Sequence, residues 1–392
     1  MQKQTMPLHE IDDTSPRGLV LSGGGARGAF QVGVWEILRN NPMGFQSTPE
    51  VLSGTSAGSL NCAFIASGLS PKEMLEFWLS LADTPPIRAN ERFFSHLIQA
   101  LRSLAIREPI RQPFRRVREL KTLKRLLGKH SWMWPGGASA MWLEFLLTAR
   151  FDSVSQILDK IATVYLFDTT PLRKRLRDFI GSTTVPRTDI KLAINTVDIK
   201  TGNVVRYINH PTIHQSTKTT TKHYVYEKDI SLDMLLASAS IPLLFNPIKI
   251  RERFLWDGGV LVNTPLAPAV ALGAKRIVPV LVTTKEHEND DSLKTFGGAI
   301  ERLADAFLEN AYNIDRKLML ERNTLASHVP KLGLTEVELY KALRPAPDAI
   351  FNAGSYLYFE REAMTAMYEA GKRAALRWLS KGPEVDDRES EG

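Results

Sequence analysis

The sequence predicts an α/β fold built on a mainly parallel sheet, and three observations predict it. A short apolar strand, Gly18-Leu19-Val20-Leu21-Ser22, breaks into the loop Gly23-Gly24-Gly25-Ala26-Arg27-Gly28, and a helix with Phe30, Val34, Ile37 and Leu38 on one face follows. A second apolar run, Val51-Leu52-Ser53, enters Gly54-Thr55-Ser56-Ala57-Gly58 and then a small-residue helix carrying Leu60, Cys62, Ala63, Phe64 and Ile65. The consecutive βαβα order makes these neighbouring parallel strands joined by a crossover helix, so both glycine loops stand at the strand C-termini, where α/β sheets build their sites.

A chain of 392 residues can bury a large core, as one domain or as one domain with an insertion. Its 43% hydrophobic and 24% charged content is ordinary for a globular protein. Cys62 is the lone cysteine, which excludes an internal disulfide framework and favours a reducing compartment. Residues 1–16 read as a polar, disordered leader without the charged start and apolar block of a secretory signal. No uncharged apolar run approaches the ~20 residues of a spanning helix. The expectation is a cytoplasmic protein, and its net charge of +7 favours anionic partners, nucleic acid or membrane surface.

The first loop is an anion site made of backbone N–H groups at the start of a helix. Gly23-x-Gly25-x-x-Gly28 fits the dinucleotide fingerprint, which also wants an acid about 20 residues on, at the end of a second strand. Residues 44–50 offer only Glu50, before that strand, and no Gly-Lys-Ser/Thr follows for Walker-type phosphate binding. The remaining use is an oxyanion hole, whose donors lie close to a nucleophile.

Gly54-Thr55-Ser56-Ala57-Gly58 supplies one. In a nucleophile elbow the serine sits on a sharp strand-to-helix turn that lifts its hydroxyl clear of the sheet, between glycines that avoid collision. The helix from Ala57 then aims its free N–H groups and positive dipole end at the reacting atom. Taken alone, the pentapeptide is equally a glycine-rich turn with a solvent-facing serine.

Residues 71–82 continue as a helix with Met74, Leu75, Trp78 and Leu79 inward. From Asp83 to about Tyr165 the strand pattern gives way to arginine-rich helices, read as an insertion over 83–164. Between Arg102 and Lys129 ten Lys/Arg stand against Glu108 and Glu119, a local charge of +8. Trp132, Trp134, Trp142, Phe145 and Leu146 follow, so residues 102–147 suit an anionic membrane surface. The same pattern also fits a helical insertion with a solvated basic face and buried tryptophans. Nucleic acid is not expected, because no binding motif accompanies the charge.

Beyond Asp168-Thr169-Thr170-Pro171 comes a capped helix with Leu172, Leu176 and Phe179, then a strand over 190–197, a turn at Thr201-Gly202-Asn203 and a strand over 204–208. A Thr-rich loop at 216–221, a helix at 232–239 and short strands over 248–256 lead to Asp257-Gly258-Gly259, a carboxylate at an apolar strand end entering a glycine turn. A helix at 265–272, a buried strand over 276–282, an acidic loop at 286–291 and helices near 293–323 and 360–380 close the domain. An acidic tail, 382–392, reads as disordered.

Loop, elbow and acid in this order resemble the patatin-like phospholipase family, whose hallmarks are Gly-Gly-Gly-x-Arg-Gly, Gly-x-Ser-x-Gly and a late Asp-Gly-Gly. Asp168-Thr169-Thr170-Pro171-Leu172, Ala237-Ser238-Ala239-Ser240-Ile241-Pro242 and Asn263-Thr264-Pro265-Leu266 extend the likeness, which covers 18–82 and 165–285. The resemblance implies a three-layer α/β/α catalytic domain over 17–381, a dyad of Ser56 and Asp257 without histidine, and a phospholipid or lysophospholipid substrate. Gly23, Gly24, Gly25, Ala26, Arg27, Gly28 and Ala57 would then form the oxyanion hole, with N–H donors at Gly24, Gly25 and Ala57 and with Arg27 bracing the loop or facing lipid phosphate. Gly54, Thr55 and Gly58 would shape the elbow, and Gly258 and Gly259 the acid turn. Aspartate is a poor base in water, so Asp257 must be desolvated. A Ser-Asp-His triad is the alternative order, with His287 or His328 as base. No cofactor or metal is expected, a homo-oligomer is open, and an effector-gated membrane enzyme is the rival function.

Overall fold

A computed structural model of the chain describes residues 16–40, 49–83, 86–98, 163–186, 189–213, 223–284, 296–329, 331, 333–347, 351, 355–356 and 359–386. Most of the expected insertion (99–162), the leader up to residue 15, the Thr-rich loop, the acidic loop with His287 and the end of the tail lie outside these residues.

Strand β1 (Arg17–Leu21) leads through one 3-10 turn into α1 (Gly28–Leu38). Strand β2 (Val51–Thr55) leads into α2 (Ala57–Ala66), and α3 (Pro71–Asp83) follows. After β3 (Arg88–Ala89) and β4 (Tyr165–Asp168), α4 (Thr170–Ile180) begins where the Asp168 carboxylate accepts the Thr170 amide at 2.6 Å, and it ends at Gly181 in the left-handed region. Then come β5 (Lys191–Asp198), β6 (Val204–Ile208), β7 (Tyr224–Tyr226), α5 (Leu232–Ser238), β8 (Leu243–Phe245), β9 (Ile248–Ile250) and β10 (Arg253–Asp257). The remaining elements are α6 (Leu266–Ala271), β11 (Arg276–Val280), α7 (Phe296–His328), β12 (Glu338–Leu339) and α8 (Arg361–Lys381).

The central sheet has nine strands, and β12, β11, β1, β2 and β5 run parallel in that order. Alternation along each strand splits the core into two layers. Leu19, Leu21, Leu52 and Ile194 pack with α1, α2, α3, α5 and α8, whereas Val20, Val51 and Ala193 pack with α6 and α7. The result is a three-layer α/β/α molecule.

Helix α8 joins the first layer by close backbone approach. A Cβ on Gly33 would lie 2.0 Å from the Tyr368 carbonyl oxygen, and one on Gly371 would lie 2.0 Å from that of Phe30. Each helix therefore offers a bare backbone where the other crosses it.

The feature that positions the site is the crowding of β5. Strand β6 pairs antiparallel along one edge, from Ala193↔Ile208 to Val197↔Val204. Strand β2 must then use the opposite edge, from Val51↔Lys191 to Thr55↔Asn195, and β10 continues on that same edge with Asp257↔Thr196 and Leu255↔Asp198. Strand β2 runs parallel to β5 and β10 antiparallel, so their C-terminal ends meet head to head at Asn195 and Thr196.

Several expectations shift. The second sheet, β3-β4-β8, is made of strands of two to four residues, and it places strand structure at 88–89 within the stretch expected to be helical. Strands β7 and β12 are likewise additions. The beginning of the acidic tail is docked: Asp386 is buried and accepts two hydrogen bonds from Arg316, and Val385 bridges to Tyr340. Among the described residues no helix is long and apolar enough to cross a membrane.

Candidate active site

Ser56 follows the last residue of β2 and caps α2 at φ 53° and ψ −125°, a conformation that L-residues rarely adopt and that persists only when the surroundings over-determine it. Those surroundings are specific. The Ser56 amide donates to Ser238 Oγ at 3.0 Å, and that hydroxyl donates onward to the Asn195 carbonyl at 2.6 Å. The Ser56 carbonyl accepts the amides of Ser59 and Leu60, and Asn195 Nδ2 donates to the Gly54 carbonyl at 2.9 Å. A Cβ on Gly58 would lie 2.2 Å from the Leu21 carbonyl oxygen, so the elbow presses directly on β1.

Asp257 ends β10 and is 4% exposed, against 6% for Ser56. Its amide donates to the Ser240 carbonyl, its carboxylate accepts the Gly259 amide at 2.7 Å, and the Ser56 side chain lies near enough to lower its pKa. Burial pushes its pKa up to about 7 against the opposing pull of Ser56 and the Gly259 amide. A carboxyl group so tuned is part-ionised near neutral pH and can take a proton from a hydroxyl beside it.

The glycine loop lies alongside. A Cβ on Gly23 would meet the Ser56 Cβ at 3.1 Å, and Gly23 exchanges hydrogen bonds with Asn263, its amide donating to the Asn263 carbonyl at 3.1 Å. The seven residues expected to form the oxyanion wall divide into two groups. The amides of Gly23, Ala26, Arg27 and Gly28 are engaged, donating to the carbonyls of Asn263, Tyr356, Gly24 and Gly25. Those of Gly24, Gly25 and Ala57 have no acceptor among the described residues, which narrows the available donors to these three.

Arg27 braces the loop and does not face outward. It is wholly buried, donates to Ser355 Oγ (2.7 Å), the Val282 carbonyl (3.0 Å) and Asp305 (3.2 Å), and stacks 3.7 Å above the Tyr356 ring. Tyr356 also bonds Asp305 through its hydroxyl. Gly25, at φ 54°, sits where a Cβ would come within 2.0 Å of the Tyr356 carbonyl oxygen.

Gly54, Thr55 and Gly258 are buried around the same junction, with Thr55 Oγ1 bonded to the Val262 carbonyl and Ser53 Oγ to that of Pro265. Ser238, Asn195, Asn263, Asp305, Ser355 and Tyr356 are the supporting residues that motif reading does not assign. Ser238 and Asn263 stand within the motif stretches of the family likeness and Asn195 within its wider span, whereas Asp305, Ser355 and Tyr356 lie outside it. His328, a candidate third member of a triad, is exposed on α7 and bonded to the Thr324 carbonyl. His287 lies outside the described residues.

A family model described as patatin-like phospholipase matches residues 19–270. Among solved structures, VipD from Legionella pneumophila is 15% identical with a TM-score of 0.39, over 95% of this chain and 68% of that one. The heterodimeric ExoU–SpcU complex of the Pseudomonas aeruginosa type III secretion system is 18% identical with a TM-score of 0.27, over 78% of this chain and 52% of that one. Likenesses at this level bear on neither activity nor partners. No curated protein matches.

Proposed function

The chain belongs to the patatin-like phospholipase family, and from that premise we propose that it is a serine lipid acyl hydrolase, of phospholipase A or lysophospholipase type, working through Ser56 and Asp257. The observation that supports this reading is the head-to-head meeting of β2 and β10 on one edge of β5, which brings the end of β2, just before Ser56, beside Asp257, a buried carboxyl group with a pKa of about 7.

In this mechanism Ser56 Oγ attacks the ester carbonyl of an acyl chain as its proton passes to Asp257. The oxyanion is received by the N–H groups of Gly24, Gly25 and Ala57, each worth ~3 kcal/mol of barrier. Protonated Asp257 returns the proton to the departing alkoxide, which leaves as the lysolipid or glycerol fragment. Water then gives a proton to Asp257 and its oxygen to the acyl carbon, and collapse of the second tetrahedral species releases the fatty acid and restores the hydroxyl.

An apolar substrate is favoured by what borders the acid turn in the chain. Val260 and Leu261 are exposed directly after Gly259, and Leu243, held at φ 67°, is 69% exposed three residues after Ser240. The basic residues within 102–147 would hold the enzyme on anionic membrane at the cytoplasmic face.

Fatty-acid release from phospholipid vesicles tests the reading. Ser56→Ala should reduce turnover at least ~10³-fold while leaving the circular dichroism spectrum unchanged. Undiminished release by that variant would remove Ser56 from the mechanism.

A further inference from the structure

Helix α7 is anchored on one face and bare on the other. Asp305, Tyr312, Met319, Leu320 and Ala326 are buried against the body of the protein. On the opposite face Leu303, Phe307, Ile314, Leu318 and Leu325 are each half exposed or more, and Val329, one residue past the helix, is 38% exposed. These six recur at intervals of four and seven, an eleven-residue repeat that an α-helix brings back to nearly the same bearing. They line one face over roughly 39 Å at 1.5 Å per residue, in three apolar pairs separated by Asn310-Ala311 and by Glu321-Arg322. At roughly 100 Å² apiece the band exposes about 600 Å² of apolar surface, at the upper limit of what a monomer ordinarily shows.

Two features decide what fits it. First, the band is self-complementary when reversed: about residue 316, Leu303 matches Val329, Phe307 matches Leu325, and Ile314 matches Leu318. Second, the band is not flanked by a basic face: with Asp305, Glu309 and Arg316 paired to Arg27, Arg344 and Asp386, the remaining charges over 302–329 are Arg302, Lys317 and Arg322 beside Asp315 and Glu321. Helices that lie on anionic membrane are instead rich in Lys and Arg beside the apolar face.

We propose that the chain forms a two-fold symmetric homodimer in which α7 packs antiparallel on α7 of a second copy, centred on residue 316. An isologous contact of this kind gives every apolar residue of the band an apolar partner. Its total buried area, about 1,200 Å² from the two bands, reaches the lower bound for specific stable interfaces.

The test uses the full chain in solution, with mass measured by light scattering at micromolar concentration. The wild type should show twice the 43.9 kDa chain mass, and the double variant Ile314→Lys, Leu318→Lys should show one chain mass with an unchanged circular dichroism spectrum. Register is read by oxidising mixtures of single variants, since the native thiol of Cys62 is buried. Ile314→Cys mixed with Leu318→Cys should cross-link faster than either alone. A monomeric wild type, a dimer indifferent to the double lysine variant, or cross-linking fastest between like positions would each overturn the proposal. So would a monomer whose binding to vesicles of anionic phospholipid is lost in the double variant, which would give the band to lipid.

Discussion

At the scale of single residues, the account turns on Asp257. Its raised pKa means that the carboxylate form needed to accept the Ser56 proton accumulates only as pH rises through about 7. Turnover of a water-soluble ester should therefore climb between pH 6 and pH 8 with a midpoint near pH 7, and a flat profile across that window would contradict the assignment. The same shift has a consequence for stability. A folded-state pKa above the unfolded value of 3.8 favours the native state fully below pH 4, and that contribution is lost as pH rises through about 7. Asp257→Asn removes the titration. It should leave the protein up to ~4 kcal/mol more stable than the wild type at pH 8, an advantage that disappears near pH 4, as read by denaturant unfolding at the two pH values.

Among elements, the dependence of the glycine loop on the far end of the chain is the main lesson. Arg27 is enclosed by Asp305 of α7 and by Ser355 and Tyr356, all beyond the family match, so the loop that presents Gly24 and Gly25 is shaped by residues about 280 to 330 positions away. Asp305→Ala removes a buried carboxylate from the buried Arg27 guanidinium and should cost about 3–5 kcal/mol, with Asp305→Asn milder because a hydrogen-bond acceptor remains. Equilibrium urea unfolding of the two variants checks the order. The crossing of α1 and α8 is equally specific. Gly371→Val would drive a branched side chain into the Phe30 carbonyl and force the helices apart, destabilising the fold by more than about 3 kcal/mol. A melting temperature within a few degrees of wild type would refute that packing.

Over the whole molecule, β1, β2, β5 and β11 were legible as apolar runs, and β1 and β2 also break into glycine loops, a pattern that spans enough residues to be read. The three-residue β8 and two-residue β3 and β12 are too short to show any periodicity, and they owe their strand state to the neighbours they pair with. The proposed pair, Ser56 and Asp257, could be named from motifs, but the reason their strands meet could not. That reason is the sharing of one β5 edge by two strands of opposite direction, a register that exists only in three dimensions. The supporting side chains Asn195, Asp305 and Tyr356 were invisible for the same cause, since each is distant in sequence from the group it holds.

Rapid quenching during hydrolysis of a phospholipid, followed by peptide mapping by mass spectrometry, is the sharpest test of catalysis by Ser56 and Asp257. The mechanism requires an acyl group on Ser56 in the wild-type protein, and in Asp257→Asn its formation should slow at least ~10³-fold while the fold is retained. An acyl group on another residue, or one that forms on Ser56 equally fast without the Asp257 carboxylate, would contradict it.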